Sequence, residues 1–302
     1  MGNKLYLECG SGISGDMFVA AMFDLGADQK KLEEALNSLP VDGFEIKISR
    51  VKKSGLDACD FDVILDQKHE NHDHDMEYLH GQHQGVHEHV SEHSQHHEEH
   101  EHISEHSQHH EEHEHISEHE HHHGNGERDH HHEHRSPQDL VHIIDHASMT
   151  DNAKKIACKI VEILSEAEAK AHGVPLEQVH FHEVGAVDSI VDIIAAAVCA
   201  DSLELDEVYI PQLNEGRGMV RCQHGLLPIP VPAVANIISA NQLNLHITNV
   251  EGELVTPTGA AIAAALRTQD QLPEKFTIQK VGMGAGKREY ACVGVLRAMM
   301  IE

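Results

Sequence analysis

The sequence predicts an α/β fold, a mixed sheet packed with helices and interrupted by a disordered histidine-rich insertion. Three observations carry this expectation. Strand-like and helix-like runs alternate along most of the chain. Helix-start and helix-stop residues punctuate those runs. Finally, one internal stretch is too polar to join any core. Of 302 residues, 32 are histidine and the formal net charge is −29. Residues 66–135 hold 25 of those histidines and 19 Asp/Glu against 3 Lys/Arg, so they carry −16 of the charge. With few aliphatics and almost no aromatics, such a segment cannot offset the entropy of ordering it. The expected organisation is therefore 1–65 as the first part of the core, 66–135 as the insertion, and 136–302 as the remainder of the core.

Lys4 to Cys9 reads as a buried first strand, followed by a Gly/Ser loop from Gly10 to Gly15. An apolar helix runs from Asp16 to Leu25 and stops at Gly26, and Asp28 caps a second one ending near Pro40. Phe44–Lys53 and Cys59–Leu65 are strands, with Ser54-Gly55 as the turn between them. The insertion repeats SEHSQHHEEHEHI at Ser91–Ile103 and again at Ser104–Ile116, the mark of low-complexity expansion. Beyond it, Ser136-Pro137 starts a helix and Thr150 caps a longer one reaching Gly173. Strand and helix then alternate through Gln178–His182, Val187–Leu203, Glu207–Leu213, Val231–Ala240, Leu245–Val250, Pro257–Arg267, Phe276–Val281 and Cys292–Met300. Alanine-rich Ile193–Ala200 and Ala260–Leu266 suit close packing in the interior.

Composition excludes several partners. There is no basic stripe for nucleic acid, and so acidic a surface repels phosphate backbones. The longest apolar stretch is too short to span a bilayer. Six cysteines without a C-x-x-C pair read as reduced thiols of a cytoplasmic protein. The insertion's imidazoles and carboxylates suit divalent cations through many weak, exchangeable contacts, although a tolerated solvated insertion explains them too.

Five motifs could carry chemistry. In ECGSGISGDM (Glu8–Met17), a strand enters a glycine loop and then a helix, so free backbone N–H groups at Gly12, Ser14 and Gly15 suit an anion. Asp16 caps its helix or holds a metal bridging a phosphate; a plain tight turn is the alternative. VHFHEVGAVDSIVD (Val179–Asp192) offers His180, His182, Glu183, Asp188 and Asp192, five nitrogen and oxygen donors suited to Ni²⁺, Zn²⁺, Mn²⁺ or Co²⁺. The alternative there is Asp188 as a helix cap with the histidines at a sheet end. GRGMVRCQHGLLPIPVPAV (Gly216–Val234) adds Arg217, Arg221 and His224 before an extended proline segment. ELVTPTGAA (Glu253–Ala261) is a second phosphate-capable helix start through Thr256, Thr258 and Gly259. GMGAGKREY (Gly282–Tyr290) reads as a flexible glycine loop carrying Lys287 and Arg288, suited to a phosphate or to a surface turn.

GISGDM (Gly12–Met17), HFHEVGAVDSIVD (His180–Asp192), HGLLPIPVPA (His224–Ala233), TPTGAAI (Thr256–Ile262), GMGAG and the closing VLRAMM together resemble the LarC family of nickel-insertion proteins. The resemblance implies a cytoplasmic nickel chelatase of the lyase class in the maturation of the lactate racemase cofactor. Its members insert Ni²⁺ into pyridinium-3,5-bisthiocarboxylic acid mononucleotide, forming a metal–carbon bond, with CTP and Mn²⁺ or Mg²⁺. In those terms the tract gathers nickel and the His180/His182/Glu183/Asp188/Asp192 group presents it. The Gly12–Asp16 and Thr256–Gly259 helix starts hold phosphates, and Glu183 or His224 is the base that takes the ring proton. Lactate racemase apoenzyme is an implied partner. Longer members have a further CTP-associated C-terminal region, which this chain is expected to lack and to need, directly or as a companion chain. Glu8 stands where the family usually has Asp. A nickel or zinc storage and delivery protein, and a metal-dependent phosphohydrolase, are the competing readings.

Overall fold

Alternation sets the first strand: β1 (Asn3–Glu8) turns Leu5 and Leu7 into the core and Tyr6 to the opposite side. This computed structural model describes residues 2–66, 76–80, 135–179, 181, 187–222 and 224–302. The chain continues through α1 (Gly15–Leu25), which Gly26 ends in the left-handed conformation at φ 100°. Next comes α2 (Gln29–Asn37), capped by the Asp28 carboxylate on the Lys30 and Lys31 N–H groups. β2 (Phe44–Lys53) and β3 (Leu56–Leu65) form a hairpin about Ser54 and Gly55, both at positive φ.

Most of the expected insertion lies outside the described residues. Within it, however, Met76–His80 forms a short helix, α3, against the core. Leu79 explains the difference: it is an aliphatic side chain in a polar run and is 3% exposed. α4 (Pro137–His146) opens with a full capping box between Ser136 and Asp139. Thr150 caps α5 (Asp151–His172), which ends at left-handed Gly173. A 3-10 turn covers Leu176–Gln178, and Phe181 pairs with Arg135 as an isolated antiparallel bridge. The strand expected over Gln178–His182 is thus a turn and a single bridge among the described residues.

α6 (Val187–Ser202) follows, then β4 (Leu205–Tyr209) and β5 (Leu213–Arg217). A single strand was expected over Glu207–Leu213, but Pro211 interrupts it. β6 (Met219–Cys222) and β7 (Gly225–Pro228) form a hairpin that sequence reading missed among the prolines. The remaining elements are α7 (Pro232–Asn241), β8 (Leu245–Glu251), α8 (Pro257–Leu266), β9 (Ile278–Ala285) and β10 (Val295–Ile301). Gly282–Ala285, expected as a flexible loop, is the end of β9. Its glycines serve packing: a Cβ on Gly284 would stand 1.9 Å from the Met17 carbonyl oxygen, so α1 lies directly on the strand.

The six-stranded sheet runs β2-β3-β9-β10-β1-β4. β3 with β9 and β1 with β4 are parallel and the other pairs antiparallel, so the sheet is mixed as expected. α1 covers β9, β3 and β10, α6 packs on α1 and β3, and α5, α7 and α8 stack behind α6. The alanine-rich stretch of α6 is buried throughout from Ile193 to Ala200. Each of its isoleucines contributes about 1.5–3 kcal/mol by leaving water. On the opposite sheet face Tyr209, Met299 and Ile301 form a smaller cluster with Tyr6, Leu272 and Phe276. No helix among the described residues is long and apolar enough to cross a membrane.

Candidate functional site

Two loops far apart in sequence are joined by backbone. Ile13 N–H donates to the Leu254 carbonyl (3.0 Å) and Thr256 N–H donates to the Ile13 carbonyl (3.1 Å). Gly12 and Gly259 permit this approach: a Cβ would stand 1.9 Å from Leu254 O on the first and 2.1 Å from Ile13 O on the second. The N-termini of α1 and α8 therefore open on one cavity of about 110 Å³. Ser11, Ser14, Asp16, Thr256, Thr258 and Lys287 are among its lining residues. Thr256 caps α8 through the Gly259 N–H at 3.1 Å. The N-cap of α1 is Ser14, whose hydroxyl donates to Asp16 Oδ1 instead of capping.

Three carboxylates meet below this cavity. Asp192, on α6, is half-buried with its Oδ1 enclosed, and desolvation with the charges of Asp16 and Asp188 pushes its carboxyl well above the usual range. Lys287 and the Asp16 backbone N–H oppose that rise. Gly15 leaves room for Asp192, since a Cβ there would lie 2.3 Å from its Oδ2. Asp16 Oδ2 and Asp192 Oδ1 are buried without a hydrogen-bond partner. Lys287 Nζ itself pairs with Asp60 (2.6 Å) and Asp62 (3.2 Å), anchoring the segment after β9 to β3.

A second cavity of about 230 Å³ adjoins the first, and Glu253, Pro257 and Arg288 line both. Arg288 pairs with Glu253, which is 6% exposed. The larger cavity is lined by Leu79, Glu168, His172, Phe181, Arg221, Cys222 and His224, among others. Sγ of Cys222 lies 3.8 Å from His224 Nδ1, and the His172 and His224 rings are 4.9 Å apart. Nε2 of His172 approaches the Glu168 carboxylate at 3.5 Å. Burial, helped by His172, lowers the His224 imidazole, while burial raises the Glu168 carboxyl.

All seven expected anion-binding residues thus come together: Ser14, Asp16, Thr256 and Thr258 line the first cavity, and Gly12, Gly15 and Gly259 let its walls close. Asp188 and Asp192 join Asp16 beneath it, and His224 lies in the second cavity. His180, His182 and Glu183 lie outside the described residues. Arg217 pairs instead with Glu251 at 2.7 Å, and Glu8 with Arg297. Sequence reading missed Glu168, His172 and Cys222; the Cys222-x-His224 spacing was the available signal. Among the described residues, no group of three or more His, Cys, Asp or Glu side chains is arranged ready to hold a metal ion.

Comparison with known proteins adds the relationship. The model of the family described as "Nickel insertion protein" matches residues 5–302. A pyridinium-3,5-bisthiocarboxylic acid mononucleotide nickel insertion protein of Alkaliphilus metalliredigens is 48% identical over the whole chain, which covers 61% of that relative. One of the same description from Clostridium acetobutylicum is 42% identical over 99% of the chain and 64% of its own length. A putative nickel insertion protein of Dictyoglomus thermophilum is 31% identical over 99% of the chain and 60% of its own length. No solved structure matches. The chain spans about three fifths of the length of these relatives, and with a family match running from its first strand to its last residue it belongs to the nickel insertion protein family.

Proposed function

We propose that the chain inserts nickel into pyridinium-3,5-bisthiocarboxylic acid mononucleotide, the molecule its relatives are named for. The observation that carries this reading is the pair of adjoining cavities with a shared wall of Glu253, Pro257 and Arg288. The phosphate of the nucleotide sits at the starts of α1 and α8, where backbone N–H groups, the helix dipoles and the hydroxyls of Ser14, Thr256 and Thr258 favour an anion. The thiocarboxylated ring reaches the second cavity.

His180, His182 and Glu183 flank or follow Phe181, whose residue lines that cavity, and they supply nickel donors. Forming a nickel–carbon bond at the ring releases one proton. His224, held toward its neutral form by burial, accepts it, with Glu183 as the alternative base. The histidine-rich tract gathers nickel ahead of this step.

Mg²⁺ or Mn²⁺, hard cations that take oxygen donors, would be held by Asp16 and Asp192, whose Oδ2 and Oδ1 are buried without a hydrogen-bond partner, once Asp188 beside them turned to the same point. CTP does not fit the described residues equally well. The two cations beside the helix starts, Lys287 and Arg288, are already paired with carboxylates, so a triphosphate has no neutralising cradle there. CTP use therefore belongs to a companion C-terminal region or chain, and lactate racemase apoenzyme is the receiver of the product.

The test is nickel transfer itself. The full chain is incubated with Ni²⁺ and the mononucleotide, alone and with the C-terminal region of a longer relative, with and without CTP and Mg²⁺, and the nucleotide is weighed by mass spectrometry. Nickel in the nucleotide with loss of a ring proton supports the reading. Nickel on the protein and none in the nucleotide under all conditions moves the chain to storage and delivery.

A further inference from the structure

We infer that Glu253 recognises the sugar of the mononucleotide, its carboxylate accepting from the hydroxyls of a ribose, so that the site selects a ribonucleotide over its 2′-deoxy counterpart. The assignment rests on the nucleotide reading above and deepens it by giving the middle of the ligand a partner.

A nucleotide with its phosphate in one cavity and its ring in the next has its pentose at the wall between them. That wall is Glu253, Pro257 and Arg288, which line both cavities. Pro257 carries no N–H and offers an apolar ring. Arg288 Nη1 donates to Glu253 Oε2, while Glu253 Oε1 accepts no hydrogen bond from the described residues. Nor is Oε1 sealed away like the orphaned oxygens of Asp16 and Asp192. The wall thus presents an acceptor beside an apolar surface. A pentose matches it, with hydroxyl donors on a body of C–H groups. Phosphate and thiocarboxylate groups are acceptors and do not. The acidic residue of dinucleotide-binding folds meets ribose hydroxyls in the same way. Arg288 also offsets the charge of Glu253, so the carboxylate does not repel the phosphate beside it.

The acceptor is held in place before any ligand arrives. Glu253 is nearly enclosed, and its neighbours in the chain are pinned on both sides. Gly252 N–H donates to the Arg217 carbonyl at 3.0 Å. Leu254 and Val255 N–H donate to Glu215 Oε1 at 2.8 and 3.1 Å. The Tyr290 ring lies against Gly252, where a Cβ would stand 2.2 Å from ring carbon Cε1. A carboxylate fixed in this way gives up little freedom on binding.

The full chain is titrated calorimetrically, without nickel, with the pyridinium mononucleotide and with its 2′-deoxyribose counterpart. Wild type, Glu253→Gln and Glu253→Asp are compared. The wild type is expected to bind the ribonucleotide at least roughly tenfold more tightly, about 1.4 kcal/mol. In Glu253→Gln that ratio falls below about threefold, because an amide oxygen accepts more weakly than a carboxylate. Glu253→Asp keeps the charge that Arg288 pairs with but withdraws the carboxylate by one methylene, and it loses the ratio too. The ratio is the readout because a merely structural change, or a changed charge at the wall, acts on both ligands alike. A melting temperature near that of wild type shows that each variant folds. Equal wild-type affinity for the two nucleotides, or a tenfold ratio that survives in a folded variant, would overturn the assignment and leave the nucleotide reading standing. Binding of neither nucleotide by the wild type removes that reading, and the assignment with it.

Discussion

Ile13 and Val255 pair as a single parallel bridge, and this one contact ties the start of α1 to the start of α8 across more than two hundred residues of sequence. The bridge exists because the chain carries glycine where the two backbones meet. Gly259→Ala places a methyl 2.1 Å from the Ile13 carbonyl oxygen, a clash with backbone that rotation of a side chain cannot relieve. The variant is expected to lose about 1–3 kcal/mol of stability and to bind mononucleotide more weakly. Gly10→Ala is the control, since nothing lies within 4 Å of its Cβ position. Denaturant unfolding of both variants checks the expectation.

Glu215 braces the same junction. Its Oε1 accepts from the N–H groups of Gly216 and Leu254, both at 2.8 Å, and of Val255 at 3.1 Å. Burial nevertheless pushes its carboxyl up to about 7 from an ordinary value of 4.5, with the charge of Glu253 adding to the rise and those N–H groups opposing it. Between these values the folded chain holds a proton that the unfolded chain has released, so this contribution to stability falls as pH rises from 4.5 to about 7. Above 7 it is flat. Glu215→Gln keeps the accepting oxygen and removes the titration. Its stability relative to wild type should rise across that window by up to about 3 kcal/mol. Equal pH profiles for the two proteins would assign the burial no such consequence.

The short helix α3 alters how the tract should be removed. Leu79 lines the second cavity and His80 Nε2 lies 3.1 Å from the Tyr290 hydroxyl, so Met76–His80 belongs to the core. Deleting residues 82–130 spares it. The truncated chain should bind fewer nickel ions by equilibrium dialysis yet keep at least one, and should need more nickel, not more nucleotide, to reach full insertion. Loss of all nickel binding favours the storage reading. His180→Ala combined with His182→Ala in the same background is expected to weaken the retained nickel.

Much of this was legible in sequence because it is local. Asp28, Ser136, Thr150 and Thr256 cap the helices they were expected to cap, and Gly26 and Gly173 end theirs in the left-handed conformation. The glycine run at Gly282–Ala285 was misread because glycine marks loops and close backbone approach alike, and only the position of α1 decides between them. Glu168 and His172 stand at i,i+4 on α5, but no local pattern joins that pair to Cys222. Their meeting depends on how α5 and the β6–β7 hairpin pack, which pairwise spacing does not encode. Sheet order escaped for the same reason: β9 and β10 insert between β3 and β1 only after the whole chain has been laid down.

The central claim is that the α1 and α8 starts hold the phosphate of a pyridinium mononucleotide. Its most direct test is calorimetric titration of the full chain with pyridinium-3,5-bisthiocarboxylic acid mononucleotide and with its dephosphorylated nucleoside, repeated on Ser14→Ala combined with Thr258→Val, which removes two hydroxyls that line the first cavity. The nucleotide should bind at least roughly tenfold more tightly than the nucleoside, a gain of about 1.4 kcal/mol, and the double variant should narrow that difference while leaving nucleoside binding unchanged. Equal affinity for the two ligands in the wild type would contradict the claim.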